Sequence, residues 1–132
     1  MFRNLFSKKR ALTGAPPAPR MKTYSAQSGY VYEYYYEGRR PAGASGADVE
    51  FVFNICGGGA RRRPASVFLN GAAVASWQRR RSREFSSTEL YALAKMALFQ
   101  AFDEWPAPDR MKDAVTVREA DIDVFAGALG LE

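Results

Sequence analysis

The stretch from Thr88 to Glu104 constrains this chain more than any other segment. Ser86-Ser87-Thr88-Glu89 has the S-x-x-E form of a capping box, in which a serine side chain accepts from a first-turn N–H and the glutamate reaches back. Behind it, Leu90, Leu93, Ala94, Ala97, Leu98, Ala101 and Phe102 fall on one stripe at helical spacing, and Tyr91, Met96 and Phe99 widen it. Only Lys95 and Gln100 interrupt the apolar surface in its interior. A helix apolar on most sides has to be buried. Trp105-Pro106 ends it, because a residue before proline is pushed out of helical backbone. The rest of the chain must supply the cover.

That cover reads as a sheet. Gly29 to Glu37 is dense in strand formers, with tyrosine at every second position from Tyr30 to Tyr36. Gly38 to Gly46 has the composition of a loop. Asp48 to Cys56 alternates Val49, Phe51, Phe53 and Ile55 against a more polar face, and Ala65 to Leu69 is a short third strand. Gaps of loop length predict antiparallel pairing. The tyrosine row is expected to face the core with its hydroxyls at the rim. A stacking platform for single-stranded bases is the alternative, but an RNP-type signature is missing and the helix needs the same face.

Asn70 is a candidate N-cap for a helix from Ala72 to about Arg81. Ala114 to Arg118 suits a fourth strand. A last helix then opens on Glu119, Asp121 and Asp123, carries Ile122, Phe125 and Leu129 on one face, and stops at Gly130. The order β-β-β-α-α-β-α predicts a two-layer α+β fold, an antiparallel three- to four-stranded meander packed against two to three helices. Residues 23–132 are expected to form this single domain, preceded by a flexible basic arm over residues 1–22 whose Gly14 to Pro19 run favours extended backbone.

Charge is segregated along the chain. The first 83 residues hold fifteen Lys/Arg against four Asp/Glu, a net +11, and no acid precedes Glu33. The remainder holds four against ten, a net −6. Arginine gathers in three clusters: Arg39 and Arg40; Arg61, Arg62 and Arg63 beside a glycine run; Arg79, Arg80 and Arg81 with Arg83. Each cluster has a bland reading as solvated or dipole-complementing charge and a functional one as a fork for phosphate. The glycine run is no Walker A loop, since the Gly-Lys-Ser/Thr ending is missing. A meander puts successive loops at opposite ends of the sheet, so the sequence leaves open whether the clusters share a face.

Chemistry is constrained mainly by what is missing. There is no histidine and one cysteine, Cys56, so Ser-His and Cys-His pairs, zinc ribbons and redox pairs are all excluded. No catalytic residue, metal ligand or cofactor is expected; an enzyme working through carboxylates and tyrosine alone, Glu33 or Glu37 with Tyr35 and an arginine, is the one catalytic alternative. Cys56 ends an apolar strand and reads as a buried thiol, and a lone cysteine suits a reducing, cytoplasmic setting. No apolar run is long enough to span a bilayer. The leading expectation is a non-enzymatic binding subunit whose cationic arm and arginine clusters contact nucleic acid phosphates or another anionic macromolecule. The alternative is an adaptor or assembly subunit, self-association included. There Phe2, Leu5 and Phe6 dock on a protein partner or an anionic membrane while Lys8, Lys9 and Arg10 meet its charges.

Overall fold

The computed structural model describes residues 10–57, 62–105, 112 and 114–131. Five strands and three helices follow in order: β1 Lys22–Ser25, β2 Val31–Ala42, β3 Asp48–Gly57, β4 Arg63–Leu69, α1 Gly71–Arg81, α2 Ser87–Glu104, β5 Ala114–Val117 and α3 Glu119–Leu129. The sheet order is β1-β2-β3-β4-β5. The expected two-layer α+β arrangement is what forms, with an antiparallel meander at its centre. Two features were not anticipated. The short strand β1 precedes the meander, and β5 pairs with β4 in parallel. Parallel pairing follows from the connection: α1 and α2 carry the chain back to its starting end before β5 begins.

Helix limits follow local chemistry. Asn70 Oδ1 accepts from the Ala73 N–H at 2.9 Å, and Ser82 in left-handed backbone stops α1. Ser86 and Glu89 complete the reciprocal capping box of α2. At α3 the Arg118 N–H donates to Asp121 at 2.9 Å, and Gly130 closes the other end.

The core lies between the layers. Phe51, Phe53, Val67 and Leu69 of the sheet and Trp77, Leu93, Leu98, Phe102 and Ile122 of the helices are fully buried. The tyrosine row faces this core: Tyr32 stacks on Phe102 with ring centres 4.3 Å apart, and Tyr34 meets Phe99 edge-on. Tyr24 of β1 joins it, stacked 4.4 Å from Phe99. Burial of the Tyr34 hydroxyl, with Tyr91 beside it, pushes its pKa up to about 12.

Three local expectations need correction. The loop expected at Gly38–Gly46 begins later, because β2 continues through Arg39, Arg40 and Pro41 to Ala42. It survives the glycine because the pairing register shifts between Tyr36 and Gly38, a β-bulge that absorbs one extra residue. Cys56 is half-buried, because its partner across the ladder is Glu33 and both lie on the face away from the helices. Leu129 is exposed at the end of α3 while Ile122 and Phe125 are buried. Residues 10–13 lie against the sheet: Thr13 and Arg39 exchange backbone hydrogen bonds of 2.9 and 2.8 Å, continuing the edge that β1 occupies further along. Among the described residues no helix is long and apolar enough to cross a membrane.

Candidate anion-binding groove

Pleating decides where each cation of the sheet points. Lys22 opposes Tyr34 and therefore shares the helix-facing side with it. In β2 the tyrosines occupy that side at even numbers, and an unbroken strand would put Arg40 there next. The bulge inverts the alternation. Arg39 opposes the core residue Phe51 and faces the helices, while Arg40 opposes Glu50 on the outer face.

On the helix side these cations border a cavity of about 410 Å³ between the edge of β2 and the first turns of α2. Arg20, Lys22 and Arg39 line it, with the side chains of Tyr34, Tyr36 and Tyr91, the first-turn residues Ser87 and Thr88, and Gly14 and Pro16 from the arm. The Arg39 guanidinium donates to Ser87 Oγ at 3.1 Å, which fixes its fork at the cavity wall. Lys95 stands next to it, its ammonium 5.4–5.8 Å from the ring centres of Phe99, Tyr91 and Tyr34. Burial, and then the neighbouring Lys22 charge, hold the Lys95 pKa below the usual lysine range. Among the described residues no carboxylate lines the cavity and none of these four cations is ion-paired.

Elsewhere Arg40, Arg80 and Arg83 are compensated. Arg40 grips Glu50 through two contacts of 2.9 and 3.3 Å, and Ser66 donates to the same carboxylate at 2.5 Å. Glu50 is 7% exposed, on the face of the sheet away from Phe51 and Phe53. Arg80 pairs with Glu119 and Asp123 of α3, and Arg83 with Glu89 at 2.7 Å. The Arg83 contact, then the Ser86 backbone N–H, holds the Glu89 carboxyl below its ordinary value.

No family model, curated protein or solved structure matches this chain. Its site therefore has to be read from its own geometry.

The three arginine clusters do not converge. Arg39 and Arg40 lie on opposite faces of the sheet. Arg62 sits on the outer face, its guanidinium 4.8 Å above the Tyr35 ring, and Arg63 opens β4. Arg79 and Arg81 are exposed in the last turn of α1, Arg81 lying 5.7 Å from the Trp77 ring. Arg10 is exposed, and its carbonyl accepts from Arg40 at 3.5 Å. Arg61, Phe2, Leu5, Phe6, Lys8 and Lys9 lie outside the described residues. Asp103, at the end of α2, accepts from the Tyr24 hydroxyl at 2.8 Å and the Gln27 N–H at 2.9 Å.

Sequence reasoning missed Arg20, Lys22 and Lys95. One signal was present: Lys95 interrupts an otherwise apolar helix, and a lysine kept there needs its ammonium brought to a rim or an anion.

Proposed function

We propose that the protein is a non-enzymatic binding module that holds nucleic acid through its phosphates in the groove beside β2. The observation that carries this reading is the cavity lined by Arg20, Lys22 and Arg39, joined by Lys95, with no carboxylate among the described residues on its walls. Like charges brought together without counter-charge repel, and an oxyanion between them removes that cost. Tyrosine and serine hydroxyls add neutral donors suited to phosphate oxygens.

Neither Tyr34 nor Tyr35 offers a ring for stacking on bases. Tyr34 is only 2% exposed, and its ring is enclosed by Phe53, Phe99 and Phe102. Tyr35 on the outer face is covered by Arg62. A site that offers chiefly charge and hydroxyls reads the backbone and tolerates any sequence. The adaptor reading rests on Phe2, Leu5 and Phe6, and no observation among the described residues favours it.

The test is binding of mixed-sequence single-stranded RNA and DNA across a salt series. Micromolar or tighter affinity at low salt, falling steeply with added salt and lost in the Lys22→Gln/Arg39→Gln double variant, is expected. Absence of binding at low salt, or full affinity in the double variant, contradicts the reading.

A further inference from the structure

The groove is short, and its charge is concentrated. A cavity of about 410 Å³ is on the scale of one nucleotide, toward the lower end of the range for small-ligand sites, roughly 300–1,000 Å³. A strand crossing a surface presents phosphates in series, each carrying one charge, and would be served by cations spread along a track. Here Lys22 and Lys95 stand side by side, reached from β1 and from the middle of α2, and Arg39 is held at the same cavity by Ser87. Gly14 and Pro16 border the cavity on the arm side: a Cβ placed on Gly14 would lie 3.7 Å from Arg39 Nε and 3.8 Å from the Tyr36 hydroxyl. The aromatic rings around Lys95 leave its ammonium few water partners, so the pair gains most from a ligand that brings more than one negative charge.

We infer that the groove takes a terminal phosphomonoester, the phosphorylated end of a strand, in preference to an internal phosphodiester. A phosphomonoester carries a charge of about −1.5 to −2 at neutral pH and has three strong acceptor oxygens. Those oxygens match the donors available: the Lys22 and Lys95 ammoniums, and the Arg39 fork. Arg20 and the hydroxyls of Tyr36 and Thr88 stand at the same cavity for the ester side of the group. This inference rests on the nucleic-acid reading above for its ligand but not for its chemistry, so the two can fail separately.

The experiment compares one ten-nucleotide single strand in three forms, 5′-phosphorylated, 3′-phosphorylated and with hydroxyls at both ends, together with a nucleoside monophosphate and inorganic phosphate. Titrations use the full chain at low salt. One phosphorylated form is expected to bind about tenfold tighter than the hydroxyl form, the scale of one added charge-assisted hydrogen bond. Lys22→Gln is exposed and should fold normally; it is expected to erase that preference, as is Lys95→Gln, while Lys95→Arg keeps part of it. Equal binding of all three strands, with affinity intact, overturns the end-specific inference and leaves the phosphate reading standing. Binding of the nucleoside monophosphate without any strand supports the phosphomonoester site and overturns the nucleic-acid reading. Failure of every probe at low salt overturns both.

Discussion

Arg39 and Arg40 are adjacent in the chain and opposite in circumstance. Arg40 lies on the outer face of the sheet, largely buried against Glu50 and Ser66, with its charge matched. Arg39 lies on the helix face, at the wall of a cavity that has three tyrosines, two further cations and, among the described residues, no acid. What separates them is one extra residue at the bulge between Tyr36 and Gly38. The contrast extends to the whole molecule. Arg80 and Arg83 also carry carboxylate partners, whereas Lys22, Lys95 and Arg20 have none among the described residues. Counting basic residues therefore overstates the surface open to a ligand, and four cations without a carboxylate partner among the described residues gather at one groove.

The comparison can be broken by exchanging the two arginines' roles. Arg40→Ala takes from the buried Glu50 both contacts of the guanidinium fork, and is expected to cost about 3 kcal/mol of stability, as removal of one partner of a buried pair does. Urea unfolding measures it, and Arg39→Ala should lose under about 1 kcal/mol in the same assay, since it gives up one exposed hydrogen bond to Ser87. In ligand titrations the order reverses, with Arg39→Ala losing affinity. Equal stability costs for the two would show that the faces are not so different.

A second, smaller effect is expected at the bulge. Gly38 has φ +127°, and a Cβ there would stand 2.9 Å from the Thr13 carbonyl oxygen. Gly38→Ala is expected to cost about 2 kcal/mol through backbone strain and displacement of the arm. The amide of Arg39, which donates to the Thr13 carbonyl, should then lose hydrogen-exchange protection. Retained protection would separate the bulge from the arm.

Alkali sharpens the account of the groove's tyrosine wall. Tyr34 keeps its proton up to about pH 12 in the folded protein and to about pH 10 when unfolded. The unfolded state therefore releases this proton first, so the stabilisation is complete below pH 10 and is lost as pH rises toward 12. Tyr36 and Tyr91, also shifted up by burial, act in the same direction. Thermal midpoints between pH 9 and 12 should fall, and Tyr34→Phe should flatten that fall. The smallest change is expected from Arg80→Gln, an exposed pair member, which should leave both unfolding midpoint and affinity at wild-type values.

Much of the fold was legible because local and tertiary preferences agree in it. The capping box at Ser86, the apolar stripe of α2 and the period-two tyrosines each specify one element, and each demands the same buried face. Less was legible where a single residue changes parity. No sequence pattern announces that β2 bulges at Gly38, so the side of the sheet taken by Arg39 was undetermined. β1 is only four residues long and has little period to read. The groove draws Lys22 from β1, Arg39 from β2 and Lys95 from α2, positions brought together only by packing. The arginine clusters were conspicuous in sequence for a reason the fold partly removes: Arg40, Arg62 and Arg80 meet acids or a ring from distant segments, and Arg81 and Arg83 meet neighbours in sequence.

The central claim is that unmatched charge in the groove, not total basicity, makes the contact. Its most direct measurement is the salt dependence of binding to a single-stranded oligonucleotide by the wild type, Arg39→Gln and Arg80→Gln. Each phosphate contact contributes about 0.7 to the slope of log affinity against log salt for single strands. Arg39→Gln is expected to lower the slope by that amount while Arg80→Gln leaves it unchanged. Equal slopes for all three proteins, or a drop confined to Arg80→Gln, would contradict the account.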